Sequence, residues 1–574
     1  MGYKLNINSG KLFTSIIIIV FLMPRAYAQL STDSVTIDVN RFKLPINNVG
    51  TLGDQLISGQ ASAGGKYDDK LVLFSGGFLM SGKTNGFLWA NGSFTASRIA
   101  DYVPGKVGTI PLDPGNIFYV VRASDPPFSQ SWQNWKAAVS QGADFYDGDH
   151  DGVYNPVDLN GNGKWDTNED RPDFLGDVTA WCVYNDGVPA NQRTFNDVNP
   201  QGIEIQQTVF AQKDSAYLND VIFVKYRLIN RGTVADVLES VYFGSMDDID
   251  IGDNGADDLV GCDTLLSTGY IYHANYTTTK WGSNPPAELI TQVQGPITYI
   301  PGITFIDVNA NGVYDPGTDS PIDTAYNYLG PLMGKKAYPG AKNLNITSSI
   351  KFTGSQDPST SFAANCNLNG KDNNGFYINP CGGQGKVFGE DCANINPVFV
   401  YSGNPVNQTG WINTVGQDQK IIVSSGPFQL EKNKAIDIII AHIVGRGSDA
   451  LNSITVSKNY ATNTIDYYNS NFPNSIITGI KDLPNIVTNF RLDQNYPNPF
   501  NPSTRINYSL SKAGNVKLTI YNSIGSKVAT LVNEYKSAGN YSVQFNGNYL
   551  ASGIYLYRLE SGNYNAAKKL ILMK

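Results

Sequence analysis

Short alternations of apolar and polar residues, separated by Gly and Asn turns, run through most of the chain and predict antiparallel β-strands. The segments GIEIQQTVFAQ (202–212) and DVIFVKYRLINRG (220–232) alternate as half-buried strands do. KLVLFSGGFLMSG (70–82) and GFLWANGSF (86–94) predict further strands and hairpins. AIDIIIAHIVG (435–445) is a continuous apolar run, which favours a buried strand.

Two segments depart from this pattern and predict helices. PPFSQSWQNWKAAV (126–139) predicts a short helix that carries Trp132 and Trp135, and DALNSITVSKNYATNTIDYYN (449–469) predicts a longer helix with Asp449 as its N-cap. Long amphipathic patterns are otherwise almost absent from the sequence. The predicted fold class is therefore mainly β, with a multi-domain antiparallel β-sandwich-type region that carries long loops.

The C-terminal segment 489–574 shows the clearest alternation. Turn residues separate its apolar–polar runs, and six or seven short strands at this spacing predict an immunoglobulin-like β-sandwich. The alternating apolar positions are Ile506, Tyr508, Leu510, Val516, Leu518, Ile520, Tyr541, Val543, Phe545, Tyr555, Tyr557 and Leu559.

Composition narrows the class of protein. The chain has 574 residues, which is enough for three or four domains of about 150 residues each. Its 42 Lys and Arg against 50 Asp and Glu give a net charge of -8, which argues against general nucleic-acid binding because that requires a basic surface. Charged residues make up only 16%, and the 57 Gly, 33 Tyr and 29 Pro are typical of a β-rich extracellular protein with many turns.

The N-terminal residues 1–28 predict a secretory signal peptide. A weakly basic start precedes an apolar run at 12–23, and Ala26 and Ala28 follow in the small-residue pattern of a cleavage site. The apolar run is shorter than the ~20 residues of a membrane span, although an N-terminal anchor helix is the alternative. The mature chain is predicted to begin at Gln29.

The two ends of the C-terminal segment carry a resemblance to a known family. NFRLDQNYPNPFNPSTRINYSLSKAG (489–514) and ASGIYLYRLESGNYNAAKKLILMK (551–574) together resemble the type A C-terminal sorting domain of the Bacteroidetes-type type IX secretion system. The resemblance implies recognition by the outer-membrane secretion machinery and a secreted or cell-surface location. It also implies frequent cleavage of the domain, with release of the cargo or its attachment to surface lipopolysaccharide. An ordinary terminal β-sandwich module is the alternative.

The predicted organisation is a signal peptide (1–28), a β-rich main region with room for two or more subdomains (29–471), a linker (472–488) and the sorting domain (489–574). The linker has two prolines and no periodic pattern. Motifs such as NPQGIEIQQTVFAQ and DDIDIGDNGADDLVGCDT, between residues 187 and 305, resemble a large group of exported proteins that end in the same sorting domain in Bacteroidetes/Chlorobi-type bacteria. That group has no established activity, so this second resemblance implies no chemistry.

An acidic segment of the main region, FYDGDHDGVYNPVDLNGNGKWDTNED (145–170), has the spacing of calcium loops. Calcium takes six to eight oxygen ligands, which come from alternate positions of a tight loop with Gly at the turn. A first loop offers Asp147, Asp149 and Asp151 at positions 1, 3 and 5, with Gly152 at 6 and Asp158 at 12. A second loop shares Asp158 as its position 1 and continues with Asn160, Asn162, Asp166 and Glu169, with Gly163 at position 6.

The pattern resembles the calcium loops of dockerins and thrombospondin type 3 repeats, and it recurs at FIDVNANGVYDPGTD (305–319). There the candidate ligands are Asp307, Asn309, Asn311 and Asp315; Thr318 at position 12 departs from the pattern, but Asp319 follows it. Two similar copies indicate a reused local unit rather than a repeat array. Plain Asp/Asn/Gly turns are the alternative for all three loops.

A fourth acidic stretch lacks clean loop spacing. Calcium binding, a carboxylate site and a solvated loop are the alternatives there, and the sequence favours a solvated loop or a structural ion. Its acidic residues are Asp247, Asp248, Asp250, Asp253, Asp257 and Asp258.

Five cysteines in an oxidising compartment permit disulfides but leave at least one thiol over. Cys366, Cys381 and Cys392 lie in one Gly/Asn-rich stretch, so one disulfide is predicted among these three, with the pairing left open. A zinc site is disfavoured because no close CxxC pair is present.

No G-x-S-x-G, HExxH or Cys-His signature is present in the sequence. His150 occupies a non-ligand position of the first loop, His442 lies in the buried strand, and His273 lies in a Tyr-rich segment. A glycosidase would need two carboxylates about 5 to 9.5 Å apart, and Trp132, Trp135 and Trp181 would be its candidate sugar platform. Core packing is the alternative role for these aromatic residues.

The sequence thus predicts an exported, calcium-stabilised protein with a structural, adhesive or binding role toward an extracellular glycan or protein. A secreted hydrolase acting on polysaccharide is the alternative, and a binding component of a larger surface complex is a third possibility.

Overall fold

The structure is a computed structural model in which residues 33–573 are described except for a few short segments. Those segments are 54–63, 95–100, 111–112, 214–216, 254–256, 274–277, 355, 474–489, 511, 513, 537–538 and 563. The predicted signal peptide (1–28) lies outside the described residues, as does the predicted linker from residue 474 onward.

The chain divides into two compact units, Met1–Thr478 and Gly479–Lys574. The first is called the main unit below and the second the C-terminal unit. Antiparallel strands dominate both units, so the mainly β class predicted from the alternation is confirmed.

The described residues of the main unit form strands β1 to β27 and three α-helices. The strands of its first half are β1 (Ser34–Ile37), β2 (Phe42–Asn47), β3 (Gly65–Tyr67), β4 (Lys70–Thr84), β5 (Phe87–Ser93), β6 (Val103–Pro104), β7 (Tyr119–Arg122), β8 (Phe145–Tyr146), β9 (Arg171–Pro172), β10 (Val178–Asn185), β11 (Ile203–Ala211), β12 (Val221–Asn230) and β13 (Val237–Ile249). Those of its second half are β14 (Asp258–Asp263), β15 (Thr268–His273), β16 (Ala287–Gln294), β17 (Ile297–Tyr299), β18 (Phe305–Ile306), β19 (Ser320–Pro321), β20 (Thr324–Tyr328), β21 (Lys335–Pro339), β22 (Ala341–Asn343), β23 (Ser348–Thr353), β24 (Lys386–Phe388), β25 (Gly410–Ile412), β26 (Gln419–Glu431) and β27 (Ile436–Gly445). The helices are α1 (Gln130–Gln141), α2 (Ser361–Leu368) and α3 (Ala450–Asn469), with 3-10 turns at Ala190–Gln192, Leu218–Asp220 and Cys392–Asn394.

Two large antiparallel sheets enclose the principal core of the main unit. Sheet 1 has the order β1-β2-β3-β4-β13-β26-β23, with β5 also paired to β4. Sheet 2 has the order β14-β15-β16-β27-β12-β11-β10-β6, with β7 also paired to β10. Aromatic side chains from both sheets meet between them: Phe78 of sheet 1 lies 5.4 Å, centroid to centroid, from Tyr226 of sheet 2. The main unit is therefore a β-sandwich.

Sheet 2 is buried on both faces. Helix α3 packs on its outer face, where Ile454, Ala461 and Tyr468 join Phe210, Phe223 and Ala441 in a second core. Strands β11 and β12 are consequently buried at almost every position, polar residues included. The expectation of half-buried strands is wrong here, because alternation along the strand carries no information about a helix that covers the other face.

Two of the three helices were predicted. Asp449 caps α3 as expected and accepts a hydrogen bond from the Asn452 amide at 2.8 Å. Helix α1 begins four residues later than predicted and ends at Gln141, followed by Gly142 in the left-handed region (φ 118°). Helix α2 leads into the Gly/Asn-rich stretch, where no helix is predicted, and Thr360 caps it by accepting the Ala363 amide.

The C-terminal unit is a smaller sandwich with its own core. Its strands are β28 (Arg491–Leu492), β29 (Ser503–Leu510), β30 (Gly514–Asn522), β31 (Lys527–Lys536), β32 (Gly539–Asn546), β33 (Gly553–Ser561) and β34 (Tyr564–Leu572). They form a three-stranded sheet, β28-β29-β32, and a four-stranded sheet, β31-β30-β33-β34. Most of the predicted alternating positions, such as Ile506, Leu518 and Leu559, are fully buried between the two sheets.

Among the described residues, no helix combines the length and the apolar character that a membrane crossing requires.

Candidate functional site

The three acidic loops of the main unit share one backbone hydrogen-bond pattern. We call them loop 1 (from Asp147), loop 2 (from Asp158) and loop 3 (from Asp307). In each, the position-6 glycine amide donates to the position-1 carboxylate, at 3.0 Å in loop 1 and 2.7 Å in loops 2 and 3. The position-7 amide donates to the position-5 side chain at 2.7, 2.7 and 2.8 Å. Each loop therefore curls around its own side-chain oxygens.

A buried carboxylate closes each loop in the same way. In loop 2, Glu169 accepts the position-2 amide of Leu159 at 2.7 Å and the position-9 amide of Asp166 at 2.9 Å. In loop 3, Asp319 makes the equivalent bonds to Val308 and Asp315, at 2.9 and 2.7 Å.

Loop 1 is closed by Asp170. Its two oxygens accept the amides of Gly148 at 3.0 Å and Asn155 at 2.7 Å. Asp158, which the loop spacing predicts at position 12 of loop 1, instead accepts the amides of Gly161 and Gly163 within loop 2. The hydrogen bonds thus place Asp170, and not Asp158, at the closing position of loop 1, with the whole of loop 2 inserted before it. The use of Asp158 as a calcium ligand of both loops stays a prediction.

Loop 1 gathers three carboxylates in a small volume. Asp147, Asp149 and Asp151 each offer a carboxylate oxygen, and the three oxygens lie within 4.8 Å of one another. Oδ1 of Asp147 is buried and has no hydrogen-bond partner. Burial raises the pKa of the nearby Asp170 carboxyl, and Asp149 and Asp147 raise it further against the effect of the two amide bonds. This donor set fits a calcium ion, since calcium selects carboxylate oxygens in a tight loop.

Loops 2 and 3 hold their position-9 carboxylates differently. In loop 2 the side-chain amides of Asn160 and Asn162 both donate to Asp166 at 2.8 Å. In loop 3, Asn309 and Asn311 donate to Asp315 at 2.8 and 2.7 Å, which lowers the pKa of Asp315. In loop 2, the pKa of Asp158 is lowered chiefly by the Gly163 amide. Hydrogen bonds from amide N–H groups thus partly stabilise the negative charge of these two loops.

Short strand pairs and aromatic contacts hold the loops at their ends. Strand β8, before loop 1, pairs with β9 after Asp170, and β18 pairs with β19 around loop 3. The ring of Phe145 lies 5.2 Å from that of Tyr154 in loop 1, and Phe305 lies 5.3 Å from Tyr314 in loop 3. The internal repeat read from the sequence therefore has the same local structure in both copies.

Loop 1 contacts the backbone of loop 2 directly. A Cβ atom at Gly148 would lie 2.3 Å from the carbonyl oxygen of Glu169, so only glycine fits there. Loops 2 and 3 have the larger Leu159 and Val308 at the same position, and both are exposed. Loops 1 and 2 are therefore in close backbone contact at Gly148.

Two residues of the fourth acidic stretch are buried in strands, whereas Asp253 between them is exposed. Asp247 lies on β13 and Asp258 begins β14, and both residues are fully buried. Asp247 faces the core with Glu288 and His442, which are also fully buried, and His442 Nδ1 lies 3.8 Å from Glu288 Oε1. Burial raises the pKa of Asp247 to about 7 and that of Glu288 to about 8. Composition did not distinguish a strand from a loop here, because acidic residues are also common in turns.

A polar cavity of about 730 Å³ opens beside β23. The disulfide predicted within the Gly/Asn-rich stretch is confirmed as Cys381–Cys392, and it closes the loop that contributes Gly383, Gln384 and Gly385 to the cavity wall. The remaining lining residues are Lys351, Phe352, Thr353, Gln356, Asp357, Asp372, Asn373, Asn374, Ile378, Tyr401, Asn413, Val415 and Gln417. A volume of this size suits a small ligand or a few residues of a larger one.

The tryptophans considered as a sugar platform are core residues. Trp132, Trp135 and Trp181 are at most 3% exposed. Trp135 donates through Nε1 to the carbonyl of Asp144, just ahead of loop 1, and Tyr154 of loop 1 donates to the carbonyl of Trp132 at 3.0 Å. The two tryptophans of α1 therefore support loop 1 instead of facing a ligand.

In the C-terminal unit, one buried tyrosine fixes the proline-rich opening segment. Tyr557 is fully buried on β33; its hydroxyl donates to the carbonyl of Asp493 at 2.5 Å and accepts the amide of Asn495 at 2.8 Å. Asn495 in turn donates to Thr504 and to the carbonyl of Pro497. The segment YPNPFNPST is thereby held against the sandwich.

Comparison with known families decides what this unit is. Residues 494–573 match the family model described as "Secretion system C-terminal sorting domain". The chain carries a type IX sorting domain. This domain implies an interaction with the type IX secretion machinery and export to the cell surface or beyond.

The main unit gains no assignment from the other comparisons. No curated protein matches the chain. Among solved structures, the dimeric latent PorU from Porphyromonas gingivalis is similar at 13% identity over 64% of this chain, with a TM-score of 0.14. The chain spans about a quarter of that protein's length (25%), and a score this low carries no argument about fold or function.

Proposed function

We propose that the chain is an exported β-rich protein of the cell surface or medium whose acidic loops bind structural calcium. Its main unit would then serve a structural, adhesive or binding role. The observation that carries the proposal is loop 1, where three carboxylates converge and a buried oxygen of Asp147 has no partner. Carboxylates gathered this closely repel one another unless a cation lies between them.

Loops 2 and 3 support the same proposal with lower expected affinity. Calcium would require the amides of Asn160 and Asn162 to turn so that their oxygens, and not their nitrogens, face the ion. The two ends of an amide have nearly the same shape, so this change needs no new space. Fewer carboxylates per loop mean weaker binding, which suffices outside the cell because calcium is abundant there.

The binding role rests on the cavity beside β23. Its wall combines amide side chains such as Asn373, Asn413 and Gln417 with the carboxylates of Asp357 and Asp372. These groups both donate and accept hydrogen bonds, which suits a hydroxyl-rich ligand such as an extracellular glycan. Attachment to surface lipopolysaccharide after export, as the sorting domain's family suggests, would hold such a binding site outside the cell.

Surface location and calcium dependence are tested together in the host bacterium. The full chain is expressed beside a version that ends before residue 489, and external protease is added to intact cells with calcium or with EGTA. The full chain should be found outside and should resist the protease only with calcium; the truncated chain should stay inside the envelope. Equal resistance in calcium and EGTA would overturn the calcium role, whereas export of the truncated chain would overturn the route.

A further inference from the structure

The cavity beside β23 is lined by an ammonium group for which the described residues supply no partner. Lys351 lies on β23, the last strand of sheet 1, and its half-buried side chain forms part of the cavity wall. No hydrogen bond or ion pair joins its Nζ to any described residue. Burial lowers the pKa of Lys351, and no neighbouring charge raises it. An ammonium that loses water without gaining a partner is unfavourable, so a bound anion would stabilise it.

The carboxylates in the cavity wall have partners of their own. Asp357 accepts hydrogen bonds at both oxygens from the Nζ of Lys420, at 2.9 and 3.1 Å. Asp372 accepts two backbone amides of its own turn, both at 2.9 Å. Neither carboxylate forms an ion pair with Lys351. These acidic groups are thus engaged within the protein, whereas the ammonium of Lys351 remains available to a ligand.

Two further polar atoms of the cavity wall lack a partner among the described residues. Tyr401 is only 3% exposed, and its hydroxyl makes no hydrogen bond with the described part of the chain. Burial raises the pKa of this phenol to about 12, so it stays protonated and can donate. Oδ1 of Asn373 is also buried without a partner, although its Nδ2 donates to the carbonyl of Gln356 at 3.0 Å. The ring of Tyr401 packs 4.9 Å from that of Trp411, which holds this side of the wall in place.

We propose that the cavity binds an acidic saccharide whose anionic group, a carboxylate or a sulfate ester, forms an ion pair with Lys351. The inference rests on the binding role proposed above for this cavity and adds the charge of the ligand. Tyr401 and Asn373 would bind hydroxyl groups of the same sugar, since a phenol donates a hydrogen bond and an amide oxygen accepts one. The volume of about 730 Å³ is within the usual range of small-ligand sites.

Isothermal titration calorimetry of the purified full chain tests the charge of the ligand. The probes are oligogalacturonate, oligomannuronate and a sulfated oligogalactan, each paired with the neutral counterpart made by carboxyl reduction or desulfation. We expect at least one acidic probe to bind at least about tenfold more tightly than its neutral counterpart, because hydrogen bonds to charged groups are the stronger ones. The preferred probe then shows whether the anionic group is a carboxylate or a sulfate. Equal binding within every pair would overturn this inference and leave the glycan-binding role intact, whereas no binding of any probe would overturn both.

The change Lys351→Gln removes the charge and keeps a long polar side chain. It should weaken binding of the acidic probe at least about tenfold and leave the neutral counterpart unchanged, whereas Lys351→Arg should keep the acidic preference. The control is Lys386→Gln, which removes an exposed ammonium next to Gly385 of the cavity wall, 4.7 Å from the Phe388 ring. This control should change neither affinity. Acidic binding that survives Lys351→Gln, for example through calcium held by loops 1 to 3, overturns the proposal.

The change Tyr401→Phe shows whether the saccharide lies in this cavity. It removes only a hydroxyl that makes no hydrogen bond within the described structure, so the melting temperature should not fall. Lys351→Gln should likewise leave the melting temperature unchanged or higher, because it removes an ammonium without a partner. Tyr401→Phe should weaken the acidic and the neutral probe by similar factors. Unchanged acidic binding in Tyr401→Phe would place the saccharide outside the cavity and contradict the proposal.

Discussion

Asp170 accepts the backbone amide of Asn155 at 2.7 Å across the whole of the second loop. Asp170 also accepts the backbone amide of Gly148. Loop 1 is therefore closed by a residue that lies well beyond position 12 of the calcium-loop spacing. The same pair of bonds is made by Glu169 in loop 2 and Asp319 in loop 3. Closure by a buried carboxylate is therefore the common structural rule of the three loops.

The change Asp170→Asn should weaken calcium binding by loop 1. It removes one negative charge and turns one of the two acceptors into a donor facing a backbone amide, a defect that costs about 1–3 kcal/mol. We expect the loop 1 dissociation constant measured by calorimetry to rise at least about tenfold, equivalent to 1.4 kcal/mol. Asp236→Asn, a carboxylate at an exposed surface ion pair, is the control and should change nothing. An unaltered titration for Asp170→Asn would refute the closing role.

Two glycine substitutions should differ sharply in their effects. Gly148→Ala places a methyl group 2.3 Å from the Glu169 carbonyl, so the two loops must separate, at a cost of about 1–3 kcal/mol. Gly152→Ala meets no atom within 4 Å, and its penalty comes only from the left-handed backbone (φ 77°), about 1–2 kcal/mol.

Urea unfolding of the calcium-loaded protein measures both changes. Calcium titration should show loops 1 and 2 weakened together only in Gly148→Ala. Equal effects of the two substitutions on both loops would mean that the contact at Gly148 does not couple them.

The buried acid Glu288 should make stability depend on pH. Its pKa is raised by burial to about 8 in the folded state, against about 4.3 when unfolded. Between these values the folded state keeps a proton that the unfolded state releases, so stability falls as pH rises from about 4 to about 8. Glu288→Gln removes this proton and should flatten the melting-temperature profile, raising it most at pH 8 to 9. A variant profile parallel to that of the original chain would show that Glu288 is ionised in the fold.

Tyr557→Phe should loosen the opening of the sorting domain. The hydroxyl donates to the carbonyl of Asp493 and accepts the amide of Asn495. Its removal leaves these two backbone groups without that partner, which should lower the free energy of unfolding by about 1–3 kcal/mol. We expect a lower melting temperature of the C-terminal unit and a smaller exported fraction in immunoblots of cells and medium. Tyr549→Phe is the matched control because Tyr549 is 100% exposed. Normal export of a destabilised Tyr557→Phe domain would show that the secretion machinery does not require the opening segment to be held by Tyr557.

Local patterns predicted much of the fold. The alternation around Ile506 and Leu518 gave the C-terminal strands because both faces of that sandwich follow the usual inside–outside rule. Asp449 was recognisable as a cap because its partner, Asn452, is only three residues away. The position-6 glycines of the loops were also recognisable, because the position-1 carboxylates that they contact are only five residues away.

Features that depend on distant parts of the chain were not predictable. Asp170 closes a loop that begins at Asp147, and no spacing rule covers a second loop inserted between them. The burial of Asp247 depends on β13 pairing with β4 and β26, which lie far away in sequence. Strand β12 is buried on both faces because α3, at the end of the main unit, covers it.

The most direct test of the account is thermal unfolding of the full chain in calcium and in EGTA. At a calcium concentration about 100 times the dissociation constant, one site adds about 2.7 kcal/mol to the free energy of unfolding, so the melting temperature should rise by several degrees. The rise should be largely lost when Asp147, Asp149 and Asp158 are replaced by alanine. Identical melting temperatures in calcium and EGTA would contradict the account and leave the three loops as plain turns.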